Sequence, residues 1–148
     1  MLRLSKKADY GLLALRHLAA SRRDAVSARE MAESYDLPPE LLAKVLQLLV
    51  RAKLLSSMQG IRGGYALAKT PAEISVADVI LAIDGPMTVT ACSESDHSCD
   101  QYQKCNIRDP LWKLKDRIVS ALSATSVAEL AADLMPAPNA VPVSVVRR

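Results

Sequence analysis

Cys92, Cys99 and Cys105 are the three cysteines of this chain, and all fall within fourteen residues. They lie in a polar run from Thr90 to Asn106, among Ser, Asp, Glu, Gln and Lys. A cysteine serving as a small hydrophobe belongs on an apolar stripe, and these do not. An odd number cannot all close into intrachain disulfides. Soft thiolates gathered in one loop point to a metal or cluster site. The competing readings are buried structural thiols and a pure redox switch. The spacing, Cys-x6-Cys-x5-Cys, lacks the short Cys-x2-Cys chelate of structural zinc sites. Wide gaps suit a cluster whose thiolates are shared between separated irons.

The rest of the chain must position that loop. At 148 residues it suits one domain of ordinary size with an appendage. There is no apolar run long enough to span a membrane, and no cleavable apolar leader precedes the first amphipathic pattern. With reduced thiols, this places the expected chain in the cytoplasm, away from membranes. The net charge of +3 conceals an asymmetry. Residues 1–70 hold twelve Lys/Arg against six Asp/Glu, a balance of +6, whereas residues 71–148 hold seven against ten, a balance of −3. The basic half is the candidate for a polyanionic partner.

Ser5 caps a predicted helix to about Ala20, with Leu12, Leu15, Leu18 and Ala19 on its apolar side. Ser27 and Glu30 form a capping box opening a short helix over 28–35. Leu37-Pro38-Pro39 breaks the chain, and a second helix succeeds it from about Pro39 to Ala52. Its Leu and Val positions leave Glu40, Lys44, Gln47 and Arg51 outward. A capped helix, a short helix, a proline turn and a third helix read as helix-turn-helix; three helices of an ordinary bundle are the plainer alternative. The segment after the third helix decides between them. Residues 53–58 read as a strand, Gln59 to Gly64 as a glycine turn, and Tyr65 to Ala68 as the return strand. A hairpin with three glycines and Arg62 at its tip, directly after a third helix, is a wing. Its glycines suit close approach to phosphates, and Arg62 suits a minor groove.

Ser75 caps a helix over about 76–83, ended by Asp84-Gly85-Pro86. After the cysteine loop, Pro110 opens a long helix in which Leu111, Leu114, Ile118 and Leu122 recur at helical spacing. So wide a stripe reads as a dimer seam, the alternative being docking onto its own wing domain. A capping box at Ser126 and Glu129 starts a last helix to about Leu134. The expected organisation is a winged helix-turn-helix domain over 1–85, a cluster-binding loop over 86–109, a dimerisation helix and C-terminal helix over 110–134, and a flexible tail over 135–148. The fold class is mainly α with a small β-hairpin. No phosphate-binding loop and no nucleophile elbow is present, so the sequence does not read as an enzyme.

The ordered motifs now carry a resemblance. They are the Leu2-Arg3-Leu4-Ser5-Lys6 start with Tyr10, the helix beginning Ser27-Ala28-Arg29-Glu30-Met31-Ala32, and the wing from Gly60 to Leu67. The run Ile74-Ser75-Val76-Ala77-Asp78-Val79-Ile80 and the three-cysteine loop before a long helix complete the set. Over about residues 1–134 the chain resembles the Rrf-type winged-helix transcription regulators, a family that includes iron–sulfur and nitric-oxide-sensing repressors. It is most similar to the branch controlling iron–sulfur cluster assembly genes. The resemblance implies a homodimer on double-stranded promoter DNA and a [2Fe–2S]-type cluster on Cys92, Cys99 and Cys105. In the cluster-assembly branch a histidine three residues after the last cysteine can be the fourth ligand; here Arg108 stands there. In the nitric-oxide-sensing branch an aspartate of the first helix serves from the other subunit, and Asp9 matches it. His97, another carboxylate or water are the remaining choices.

The function expected is therefore a DNA-binding regulator, a repressor switched by iron–sulfur or redox state. A nitric-oxide-sensing repressor of the same family is the near alternative. A cysteine or zinc interaction module without promoter binding is the alternative from another class, and an electron-transfer protein would leave the winged helix unexplained. The expected DNA contacts are Arg3, Ser5 and Lys6 of the N-terminal arm, Glu40, Lys44 and Gln47 of the recognition helix, and Gln59, Arg62, Gly63, Gly64 and Tyr65 of the wing. Leu111, Leu114, Ile118 and Leu122 are the expected dimer contacts.

Overall fold

The computed structural model describes residues 3–90 and 99–132. Helix α1 (Lys6–Ala20) starts where Ser5 accepts a hydrogen bond from the Ala8 backbone N–H at 3.0 Å. Its buried line is Ala8, Gly11, Ala14, Leu15 and Leu18. This departs from the apolar side expected from the sequence, because Leu12 is only half buried. The reason is close packing: a Cβ on Gly11 would collide with Ile83 and lie 3.4 Å from Val79 and 3.5 Å from Val45. A line of small residues lets α3 (Pro39–Arg51) and α4 (Val76–Asp84) approach α1.

Helix α2 (Ala28–Ser34) is capped by Ser27, whose Oγ accepts from the Glu30 N–H at 3.1 Å. It ends in Schellman geometry: Asp36 adopts φ 52°, and the Leu37 N–H donates to the Ala32 carbonyl at 2.9 Å. The same device closes α3. Lys53 takes φ 61°, its N–H donates to the Val50 carbonyl, and the Leu54 N–H donates to the Leu49 carbonyl. That closure makes residues 53–54 a helix end, so the first wing strand begins later than the sequence suggested. Strand β1 (Leu55–Met58) pairs antiparallel with β2 (Gly64–Leu67), Leu55 opposite Leu67 and Met58 opposite Gly64. Val26 adds a bridge to Tyr65 through two backbone hydrogen bonds of 3.0 and 2.8 Å.

After a 3₁₀ turn (Pro71–Glu73) and α4 come α5 (Arg108–Ala124) and α6 (Val127–Ala132). The core gathers Leu15, Met31, Leu42, Leu46, Leu49 and Ile74, all less than 2 % exposed. Val127 joins it at 0 % exposure. Helix α6, grouped with the dimerisation helix by sequence, thus packs on α1 in the winged-helix core. Two backbone hydrogen bonds fix it there, Val76 N–H to Thr125 and Val127 N–H to Ile74. The fold is mostly helical with one two-stranded antiparallel hairpin, as the sequence indicated. Among the described residues, no helix is long and apolar enough to cross a membrane. The expected tail over 135–148 lies outside the described residues.

Candidate nucleic-acid interface and cysteine site

Helix α3 divides sharply between its two sides. Leu42, Val45, Leu46 and Leu49 are buried, while Glu40, Lys44, Gln47 and Arg51 stand exposed on the opposite face. Among the described residues, none covers that face. It presents two cations, one anion and one amide within about three turns, which is a donor–acceptor pattern suited to base edges in a major groove.

At the wing, the Gly63 N–H donates to the Gly60 carbonyl at 2.9 Å, closing a turn with Ile61 and Arg62 at its two corners. Gln59 and Arg62 are exposed there. The glycines of this hairpin have separate causes. Gly60 adopts φ +111° with open space where a Cβ would point, whereas a Cβ on Gly63 would lie 2.5 Å from the Met58 carbonyl oxygen. A Cβ on Gly64 would strike the Val26 backbone. Gly63 and Gly64 therefore have a reason inside the protein that the sequence did not suggest. Tyr65 is half buried and packs against the core, anchoring the hairpin to Val26.

The N-terminal arm leads away from the wing. Arg3 and Lys6 are exposed. The Ser5 hydroxyl is already engaged, since besides capping α1 it donates to Asp84 Oδ1 at 2.8 Å. This ties the arm to the end of α4. Arg3, Leu4 and Asp84 share a surface hollow with Pro86, Met87 and Thr88, the segment leading toward the cysteine loop.

Cys92 and His97 lie outside the described residues. Cys99 and Cys105 are unpaired, half-buried thiols on a turn-rich segment, where the Tyr102 N–H donates to the Cys99 carbonyl at 3.0 Å. That segment runs without a break into α5. Arg108, in the first turn of α5, donates through Nε to Asp109 Oδ1 at 2.9 Å and through a terminal nitrogen to the Tyr102 carbonyl at 3.3 Å. Its guanidinium also lies 4.6 Å from the Tyr102 ring centre and 5.5 Å from that of Trp112. The hydrogen bond to Asp109 raises its pKa above the ordinary arginine value, so it stays charged. A guanidinium only donates and cannot be a metal ligand. Arg108 therefore clamps the loop to α5.

Asp9 is exposed in the first turn of α1, beside a shallow hollow lined by Leu12, Leu13, Arg16 and Leu130. Among the described residues, no three of Cys, His, Asp and Glu gather closely enough to hold a metal. Asp9, Cys99 and Cys105 are thus not brought together within one chain.

None of the α5 side chains is fully buried. One side rests on α4, where Lys115, Val119 and Leu122 face Ala77, Ile80 and Leu81 across a cavity of about 340 Å³. Leu111, Ile118 and Leu122 are half buried, and Leu114 is 45 % exposed. Part of this helix therefore docks on its own domain, and among the described residues Leu114 remains exposed.

Sequence reasoning passed over Arg22, Arg23 and Ile61, which the fold brings together beside the wing tip with Arg62. The adjacent arginines were a readable signal. Their proximity to a loop some forty residues later was not.

The comparisons with known proteins agree with this architecture. Residues 4–133 match the Rrf2 family model, described as an iron-dependent transcriptional regulator. BadM of Rhodopseudomonas palustris, provisionally described as an HTH-type transcriptional regulator, is 39 % identical over 87 % of this chain and 81 % of its own length. The HTH-type transcriptional regulator IscR of Photorhabdus laumondii is 33 % identical over 87 % of this chain and 79 % of its own. The solved structure of CymR, the global cysteine regulator of B. subtilis, superposes with a TM-score of 0.71 at 27 % identity, covering 89 % of this chain and 98 % of that one. These relatives are regulators of transcription and not enzymes. A winged helix matched over nearly its whole described length by one family model makes this chain a member of the Rrf2 family of DNA-binding transcriptional regulators.

Proposed function

We propose that the chain is a cytoplasmic, homodimeric repressor whose DNA affinity is set by an iron–sulfur cluster of [2Fe–2S] type, controlling iron–sulfur cluster assembly genes. The observation carrying this reading is the continuity between the cysteine segment and α5: Cys99 and Cys105 are free thiols, and Arg108 holds their segment against the helix. The donor set fits such a group. Cys92, Cys99 and Cys105 would supply thiolates, and Asp9 of a second protomer the fourth donor, with His97 as the alternative. Arg108 cannot take the ligating place that a histidine holds in the cluster-assembly branch, and an oxygen ligand makes the site more labile, which suits a sensor. When bound, the cluster would supply a redox-dependent charge and a tie between distant parts of the loop.

The remaining work belongs to the chain's own residues. Leu111, Leu114 and Ile118 of α5, with Leu122 at the border of its contact with α4, pair with their copies across a two-fold axis. That axis fixes the separation of two recognition helices, each presenting Glu40, Lys44 and Gln47 to a major groove. Gln59 and Arg62 face the adjacent minor groove, Gly63, Gly64 and Tyr65 hold the wing backbone against the duplex, and Arg3, Ser5 and Lys6 approach phosphates. A small change at the loop rotates α5 and alters half-site spacing, shifting the population of DNA-competent dimers.

The test is anaerobic purification, then visible spectroscopy and DNA binding at the chain's own upstream region. Colour should vanish when any one of Cys92, Cys99 or Cys105 becomes Ala, and holo and apo protein should differ in DNA affinity. Asp9→Ala should keep some colour with a shifted spectrum. A protein that stays colourless after reconstitution with iron and sulfide refutes the cluster. The likeness to CymR, a global cysteine regulator, favours a second reading in that event: a transcription regulator that responds to cysteine status without a cluster.

A further inference from the structure

Ile61 is 107 % exposed, the most exposed large hydrophobic among the described residues. It holds this position by construction. The Gly60–Gly63 hydrogen bond places Ile61 and Arg62 at the two corners of a turn, and Gly60 takes a positive φ that a side chain would resist. The hairpin behind is fastened to the body through Tyr65 and Val26. An isolated surface isoleucine calls for no explanation. Its surroundings do, because the cleft beside it is lined by Arg22, Arg23 and Arg62 with Asp24 and Glu30. Arg23 is ion-paired with Glu30. Arg22 and Arg62 form no ion pair among the described residues. An apolar tip between two free cations fits a surface that is itself anionic at its rims and apolar within. A DNA minor groove has that composition, with phosphates along its edges and deoxyribose carbons on its walls.

We propose that Ile61 is a DNA-contacting residue that enters the minor groove beside Arg62 and packs against its sugar walls, with Arg22 on a flanking phosphate. This rests on the DNA-binding reading above and names a contact that charge alone does not reveal. The preference it confers is for shape. A narrow A·T-rich groove brings both walls to the side chain and deepens the negative potential that draws Arg62.

Apolar and ionic contacts separate by their response to salt, because only cations release counterions from the duplex. Full-length protein is titrated by fluorescence anisotropy against a duplex of its own upstream region, over a series of salt concentrations. Ile61→Ala should weaken binding about tenfold, equivalent to about 1.4 kcal/mol, with the slope of log K against log salt unchanged. Arg62→Ala and Arg22→Ala should each reduce that slope by about one. Replacing A·T pairs under the wing by G·C should weaken wild type more than Ile61→Ala. Because the Ile61 side chain is fully exposed, its removal leaves the melting temperature unchanged, which separates lost contact from lost fold. Unaltered affinity of Ile61→Ala overturns the proposal and leaves the tip for a protein partner. An unchanged slope for Arg22→Ala removes the flanking phosphate contact. Wild-type protein that fails to bind any duplex overturns instead the DNA reading on which the proposal rests.

Discussion

Gly64→Ala tests how the wing is held to the body. The new Cβ would sit 2.5 Å from the Val26 carbonyl carbon and 2.9 Å from the Ser27 nitrogen, with the Val26 oxygen nearer still. All three are backbone atoms, so no side chain can swing aside. Non-bonded carbons settle near 3.5–4.0 Å, so the strands must part by about 1 Å. The Val26–Tyr65 hydrogen bonds, now 3.0 and 2.8 Å, would then exceed bonding distance. Losing both costs about 2 kcal/mol, and residual overpacking adds about 1–2 kcal/mol. The expected destabilisation is about 3–4 kcal/mol, or roughly 12–16 °C in melting temperature at about 4 °C per kcal/mol. Urea denaturation read by circular dichroism should show the midpoint fall with little change in slope. Gly60→Ala is the control: its Cβ meets nothing within 4 Å, and only the backbone at φ +111° is strained. That strain costs about 1 kcal/mol. A Gly64→Ala protein no less stable than Gly60→Ala would refute the steric argument.

Lys44→Ala should relax sequence preference at one base pair by about 1–3 kcal/mol, measured by competition among single-position variants of the bound duplex; a uniform loss over all sequences would make Lys44 a phosphate contact. Ile118→Asp places a charge in the half-buried stripe of α5 and should yield monomers by sedimentation velocity, since a charge buried without a partner is costly; an intact dimer would move the interface elsewhere. Lys53→Gly should stabilise the fold by about 0.5–1 kcal/mol in the same urea assay, because Lys53 sits at φ 61° and glycine removes that left-handed strain, partly offset by its freer unfolded state.

Local elements were legible to within a residue or two because their signals are local. Ser5, Ser27 and Ser75 each cap the helix that the sequence assigned them, with the side chain accepting from a first-turn N–H. The wing was legible from a glycine turn between two apolar runs. The later start of β1 was hidden because Lys53 adopts a conformation usually reserved for glycine, and nothing in its type announces that. The buried face of α1 was misjudged because Gly11 and Ala14 bury little area themselves. Their role is to admit neighbours from α3 and α4, a fact about partners some thirty to seventy residues away.

By itself the sequence determined the class of the protein. Cap residues, helical periodicity and turn chemistry act over a few residues, so they fix a winged helix, an outward face on α3 and a cysteine segment ahead of a long helix. Tertiary structure alone decided what meets what. It gave the Ser5 hydroxyl to Asp84 and drew α6 into the core through Val127. It also gathered Arg22 and Arg23 beside Ile61 and Arg62, from segments nearly forty residues apart. These pairings arise from how whole surfaces pack, and no short window of residues carries that information.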